Sequence, residues 1–380
     1  MHNTGTGQTF SATNQLLKGL RRYALLGIIS LIAFASVYIA PEKFAIAGFM
    51  VFAIPIVLIL NALLLIVWLW RRIWYSVWPL LVLIIGFAHI RASVAINRPA
   101  DSPTDLKVLS FNVETFRGYS RPTPERILAA SQMLKFLKTS DADILCLQEF
   151  FDNSKSETFN SLAKLKKAGY KYKYFSKSFS YDGTSQVGVG ILSRYPIISY
   201  GTLYKRNGNN NQMIFADIAT PCDTIRVYSV HLESIRLKQE EVQVPTNEGS
   251  NKLKRNISSV ARKMTAGFEY RGKQLKILKE HILTSPHPVI LTGDFNEVPF
   301  SHLYNELRGL LKNSFEEKGQ GFGFTFNGFI PGLRIDNQFV GEPLQVTSFK
   351  TDYTMKHSDH FPLIATYRLK PDCELPSRKK

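Results

Sequence analysis

The sequence predicts an α/β domain standing behind a transmembrane α-helical segment of about three spans. Three observations carry this reading. Three long uncharged apolar runs crowd the first 90 residues. Beyond residue 104 the pattern changes to short β-branched runs separated by helical stretches. The charge also divides: residues 1–100 hold eight Lys and Arg against one acid, Glu42, whereas residues 101–380 hold 39 basic and 29 acidic residues. The apolar content excludes a disordered chain. Three cysteines are too few for a small disulfide-stapled fold. A single soluble globule does not fit either.

The expected order is a cytoplasmic N-terminal segment at 1–22, membrane helices within 23–91, a linker at 92–104, a folded domain at 105–370 and a basic tail at 371–380. The apolar runs cover 23–40, 44–70 and 73–90. As a helix the middle run is about 40 Å long, enough to cross a ~30 Å hydrocarbon core with tilt. All four tryptophans (Trp68, Trp70, Trp74 and Trp78) flank Arg71-Arg72, as amphipathic rings do at a headgroup layer. Lys18, Arg21, Arg22, Arg71 and Arg72 fall on one side of the spans, and Lys43, Arg91 and Arg98 on the other. The positive-inside rule then puts the N-terminus in the cytoplasm and everything after about residue 91 outside. Reading the first run as a cleaved signal, with Ala33-Phe34-Ala35 as the cleavage site, leaves the domain on the same side. Cys146 sits in an apolar run and reads as a small buried hydrophobe. Cys222 and Cys373 are available to pair in an oxidising compartment.

In the outer domain, residues 106–112, 143–149, 187–193, 224–231, 288–294, 335–340 and 362–369 read as strands. Helical patterns fall at 124–137, 158–168 and 274–283. Polar residues stand where the apolar strands stop: Ser110-Phe111-Asn112, Gln148-Glu149, His231, Gly293-Asp294-Phe295-Asn296, Ile335-Asp336 and Ser358-Asp359-His360. A carboxylate, amide or imidazole there sits on rigid support at a sheet rim, where ligands bind.

The ordered set SFN, QE, VHL, GDFN, ID and SDH resembles the endonuclease/exonuclease/phosphatase superfamily. That superfamily includes deoxyribonuclease I, abasic-site endonucleases, neutral sphingomyelinases and inositol-polyphosphate 5-phosphatases. The resemblance spans about residues 105–369 and extends to membrane-anchored members with N-terminal spans. It implies a four-layer αββα sandwich and a metal-dependent phosphoester hydrolase, with Mg²⁺ or Mn²⁺ as cofactor. By that resemblance, Glu149 is the main metal ligand, Asp359 a further ligand, and Asn112 supports the metal and the scissile phosphate. A hard carboxylate suits Mg²⁺, which keeps most of its waters. Asp294 orients or deprotonates the attacking water, with Asn296 contacting phosphate beside it. His360 is the essential histidine, its tautomer set by Asp336. His231 touches phosphate or protonates the leaving group. Whether Asp294 or His360 is the base stays open. After Asp336 the chain reads Asn337-Gln338-Phe339, more polar than relatives usually are there.

The substrate is less legible. Residues 236–276 hold ten basic and four acidic residues. Such a stretch suits a nucleic-acid phosphate backbone, a lipid headgroup layer or a solvated helix. The alternation from Tyr170 to Tyr174 reads as a half-exposed strand, and residues 319–323 as a turn near the site. A nuclease and a phospholipid or sphingolipid phosphodiesterase are the leading readings, followed by a phosphomonoesterase and a non-catalytic membrane-tethered binding protein.

Overall fold

The computed structural model describes residues 6–98, 105–117, 123–181, 183–206, 208–237, 239–242, 250–369 and 375. The linker residues 99–104, Cys373 and nearly all of the basic tail lie outside them. The chain divides into two units, Met1–Ser93 with Pro299–Asn305, and Val94–Val298 with Glu306–Lys380.

The first unit is helical: α1 (Thr6–Ser36), α2 (Ala45–Met50), α3 (Ile54–Arg71), α4 (Val77–Ile85) and α5 (Phe87–Ser93). Two helices, Thr13–Ser36 and Ala45–Arg71, are long and apolar enough to cross a membrane. The run expected as a third span is a bent pair, Ile73–Ile85 and Phe87–Ser93, with 63° between its halves, and makes a third candidate if the pair is one span. The break falls at Gly86, where a Cβ would stand 2.7 Å from the Phe34 ring. Polar groups tie these apolar helices together. Tyr23 donates to Asn61, and the Asn61 amide donates to Ser30 Oγ at 3.0 Å and Val57 O at 2.7 Å. Where apolar faces alone give helices little preference for one another, such bonds select the packing.

The second unit is built on strands. In chain order they are β1 (Ala95–Ile96), β2 (Leu106–Asn112), β3 (Ile144–Asn153), β4 (Tyr172–Tyr181), β5 (Ser185–Ser193), β6 (Ile197–Lys205), β7 (Gln212–Ala219) and β8 (Thr224–His231). There follow β9 (Val289–Asp294), β10 (Lys312–Asn313), β11 (Gln320–Gly321), β12 (Asp336–Val340), β13 (Gln345–Thr351) and β14 (Leu363–Arg368). Helices α6 (Pro124–Thr139), α7 (Ser161–Lys167), α8 (Gln239–Val242), α9 (Ser250–Leu283) and α11 (Ser314–Lys318) join them, while α10 (His302–Arg308) falls across the division. One sheet runs β13-β14-β2-β3-β5-β4 and the other β10-β12-β9-β8-β7-β6.

Strand alternation builds the layers. Val108, Ile144, Cys146, Val189 and Ile191 of the first sheet meet Ile214, Ala216, Val227 and Ile290 of the second in one buried core. Their neighbours Leu109, Phe111, Leu145 and Leu147 point the other way, into a core with Ala130, Met133 and Leu137 of α6 and Leu165 of α7. Such two-residue periodicity lets one strand feed two cores. On the outer face of the second sheet, His281 of α9 packs on Phe215 and Tyr228. The architecture is the expected αββα sandwich.

Among the described residues, polar links between the sheets include those of two buried glutamines. Gln148 Nε2 of the first sheet donates to Ser229 Oγ of the second at 3.1 Å. Gln338 Nε2 of the second donates to Leu363 O at 3.1 Å, while Tyr367 Oη donates to Gln338 Oε1 at 2.8 Å. In the polar run after Asp336, Gln338 is therefore satisfied inside the sandwich, and Asn337 Oδ1 accepts from Asn313 Nδ2 of the neighbouring strand at 3.3 Å.

Several local expectations are corrected. The strand expected at 143–149 runs on to Asn153, and Glu149 is at an irregularity inside it rather than at its end. The helix expected at 274–283 starts at Ser250. Within 319–323, Gln320 and Gly321 pair with Ile96 and Ala95 instead of turning. Strands β6, β7 and β13 had no sequence signal strong enough to separate them from loops.

Candidate active site

Register brings the polar residues to one rim. β2 and β3 are parallel, with Asn112 opposite Gln148. β8 and β9 are parallel, with His231 opposite Asp294, and antiparallel β12 sets Asp336 against the same Asp294. His360 precedes β14 and is fixed by an isolated bridge to Phe326. His231, Asp294 and Asp336 therefore end or begin adjacent strands of the second sheet, with Asn296 just after β9, and Asn112, Glu149, Asp359 and His360 come from strands of the first or the turn before β14, so the site lies on the seam between the two sheets.

Backbone geometry aims the side chains. Glu149 has φ 49° at the irregularity where the β3–β5 register shifts between Leu147 and Phe150. Such a bulge breaks the in–out alternation and re-aims a side chain. Asn296 has φ 50° and donates its backbone N–H to Asp294 Oδ1 at 2.9 Å and its side-chain amide to Leu232 O at 3.1 Å. Gly293 has φ 141°, and a Cβ there would lie 2.0 Å from Val230 O. Only glycine lets β8 and β9 approach this closely.

The groups interlock at Asp294. Its Oδ2 accepts from Asn112 Nδ2 at 3.1 Å and, though so engaged, also lies 3.6 Å from His231 Nε2 and 3.7 Å from His360 Nε2. His360 Nδ1 is 2.8 Å from Asp336 Oδ2. On the other flank, Glu149 Oε1 is 3.8 Å from His231 Nε2, and Asp359 Oδ1 is 4.0 Å from His360 Nε2. Asn112 is also held from behind, since Ser358 Oγ donates to its carbonyl at 2.7 Å and its Oδ1 accepts from Glu114 N at 3.1 Å. All eight residues singled out from the sequence thus meet in one connected cluster.

Burial sets the charge states. Asp336 is pushed up to about 6 by desolvation, which His360 only partly offsets. Burial opposes charge on His360, but Asp336 and Asp294 outweigh it, so its pKa rises well above the ordinary imidazole value. The pair is an ion pair at neutral pH. His231 Nε2 faces two carboxylates, which places its proton on that nitrogen. Glu149 is raised by desolvation and by repulsion from Asp359 and Asp294, against the pull of His231.

Two donor sets could hold a metal. Asp294, Asp336 and His360 offer ligand atoms within 4.8 Å of one another. His360 Nδ1 and Asp336 are already engaged with each other, however. The Glu149 carboxylate makes no hydrogen bond among the described residues and faces Asp294 and Asp359 as like charges. A hard divalent cation relieves that repulsion and takes carboxylate oxygens readily. The donor chemistry at Glu149 fits such a cation.

A bracket behind the site had no sequence signal. Arg271 of α9 is 2% exposed. Its Nε donates to Glu297 Oε1 and its Nη1 to Glu233 O, both at 2.7 Å. Glu233 follows the His231 strand and Glu297 follows Asn296, so one guanidinium ties both catalytic loops together. Arg206 closes the bracket on Glu233 Oε1 at 2.6 Å. An exposed-looking basic run concealed the one arginine that points inward.

Paired acids and histidines on the seam of a two-sheet sandwich are the groups a phosphoester hydrolase needs to activate a water and protonate a leaving oxygen. The chain belongs to the endonuclease/exonuclease/phosphatase family, whose model matches residues 109–360. Residues 20–93 match a model described as a domain of unknown function. Among solved structures, a family protein from Leptotrichia buccalis is 18% identical, with TM-score 0.48, covering 70% of this chain and 100% of its own. The 3′ phosphatase NExo from Neisseria, bound to a product DNA hairpin, is 17% identical, with TM-score 0.47, covering 69% and 99%. The human Nocturnin catalytic domain with bound sulfate is 16% identical, with TM-score 0.47, covering 72% and 97%. No curated protein matches the chain.

Proposed function

We propose that the protein is a membrane-anchored phosphodiesterase, dependent on Mg²⁺ or Mn²⁺, with its catalytic unit outside the cytoplasmic membrane face. The carrying observation is that Asp294 is held by two protein donors, Asn112 and Asn296, while two imidazoles stand within 3.7 Å of its Oδ2. Glu149, with Asp359 and the Asn112 amide nearby, would hold the cation. When bound, the cation neutralises charge on the phosphoryl oxygens. Asp294 orients the attacking water and takes one of its protons. Water oxygen adds to phosphorus as the ester P–O bond breaks. His231 Nε2–H gives its proton to the departing oxygen, and imidazolium His360, fixed by Asp336, stabilises the non-bridging oxygens. Asn296 sits beside Asp294 as a further phosphate contact.

The outside location is supported by the five basic residues flanking the spans on the N-terminal side. It also agrees with a disulfide at Cys222, a bond that persists in oxidising compartments. A C-terminal reporter active only in the cytoplasm would sink it. For the chemistry, metal-dependent release is measured from DNA, RNA, phospholipid and small soluble phosphodiesters. Activity unchanged in both Glu149→Ala and His360→Ala would overturn the assignment.

A further inference from the structure

Helix α9 is longer than its structural task requires. It joins β8 to parallel β9, so its C-terminal end lies at the start of β9 and its N-terminal end at the catalytic rim. Six-residue β9 is about 20 Å long, whereas 34 residues of helix span about 51 Å. The first half of α9 therefore outruns the sheet on the catalytic side. Among the described residues it is accompanied by α8, through Ser259 Oγ to Glu241 Oε1 at 2.8 Å, and by the carbonyl of Arg236, through Lys263 at 3.2 Å.

The apolar stripe does not stop where the sheet does. Phe268, Leu275, Leu278 and Ile282 are buried. At helical spacing the same face continues N-terminally to Ile257 and Leu253, which are 60% and 40% exposed. Residues 250–267 hold five Lys and Arg, no acid and no aromatic ring. Lys263 is paired with Glu241 of α8, and Glu240 stands beside it, so the local excess is smaller but remains positive. Lys254 and Arg262 are exposed.

We propose that this outrunning half of α9 lies on an anionic lipid surface, its aliphatic edge at the headgroup–acyl boundary and its basic flanks among the headgroups. Aliphatic side chains bordered by Lys and Arg are the chemistry of an interfacial helix. A single-stranded nucleic acid would instead want rings to stack on. Two exposed aliphatic side chains also fall far short of the roughly 800 Å² per partner that a stable dimer buries. The inference rests on the membrane-embedded reading of the N-terminal helices, which puts a bilayer within the chain's reach, and not on the reaction.

The test uses the full chain in bilayer discs, with an environment-sensitive fluorophore on Ile257→Cys; Cys146 is buried and Cys222 disulfide-bonded. Discs of phosphatidylcholine alone are compared with discs in which phosphatidylglycerol replaces part of it. The expected result is a blue shift and severalfold stronger quenching by doxyl-labelled lipid in the anionic discs, both lost in Lys254→Glu/Arg262→Glu. That variant should hydrolyse a small soluble phosphodiester at the parent rate. Equal quenching in both disc types, or quenching untouched by the charge reversal, overturns the proposal. A shift caused by single-stranded DNA but not by phosphatidylglycerol overturns it in favour of a nucleic-acid surface, and a shift that tracks protein concentration in favour of a second copy. A parent chain that shows the lipid shift yet hydrolyses nothing upholds this inference and breaks only the catalytic one.

Discussion

The two flanks of the site are built on opposite plans. On one, Asp294, Asp336 and His360 are buried and engaged, with Asn112 and Asn296 donating to Asp294 and Thr325 Oγ1 accepting from Asp336 N. On the other, Glu149 and Asp359 have side chains 28% and 39% exposed, and Glu149 stands among the like charges of Asp359 and Asp294 and the imidazoles of His231 and His360. The first flank is complete as protein. On the proposed reading, the second takes a divalent cation from solution, which has the charge for it. The difference teaches that preorganisation and cofactor dependence can divide a single site a few ångströms across.

The sharpest way to break this comparison is at His360. His360→Ala should lower kcat about 10²–10⁴-fold while calorimetric Mn²⁺ binding stays near the parent affinity. If Mn²⁺ binding collapses with it, the cation belongs on the buried flank. Glu149→Gln preserves shape and removes charge. It should weaken Mn²⁺ binding at least about 10-fold, and raised metal should recover part of the rate. Recovery in His360→Ala as well would erase the distinction between flanks.

The bracket behind the site comes next. Arg271→Met leaves Glu297 buried without its cation, and urea unfolding should register a loss of about 3–5 kcal/mol. Arg271→Met/Glu297→Leu should regain much of that stability, yet keep a lowered kcat with KM little changed, because Glu233 O is no longer held. Full recovery of kcat would make the bracket purely structural.

The smallest effect lies farthest from the chemistry. Burial lowers the pKa of His281, whose Nδ1 meets Tyr228 Oη at 2.8 Å. The unfolded chain then binds the proton more readily than the folded one. Its stability contribution is complete above about pH 6.5 and is lost as pH falls from there towards the folded pKa, with a slope of at most about 1.4 kcal/mol per pH unit. Comparing denaturant midpoints of the parent and His281→Gln across pH 5–7 isolates that slope; parallel curves would refute it.

Strand ends were legible because burial stops where polarity starts: β2, β8 and β9 finish at Asn112, His231 and Asp294 as the pattern requires. Glu149 was found for the right residue type but the wrong reason. A bulge leaves no mark in hydrophobic periodicity, so its strand was expected to end there. The first half of α9 was hidden by its charges, which mask the spacing of Leu253, Ile257 and Phe268. Arg271 was invisible for a different cause. Sequence shows a basic run, and only the fold decides which member turns inward.

The seam itself has a mechanical consequence. Because Asn112 and Glu149 ride on one sheet and His231, Asp294 and Asp336 on the other, sliding the sheets by one residue would pull the cluster apart by about 3.3 Å. Aliphatic surfaces resist separation far better than they resist shear. The buried amides of Gln148 and Gln338, each bonded across the core, act as dowels against that shear. Alignment of a catalytic rim is thus secured deep in the interior, by residues that never meet a substrate.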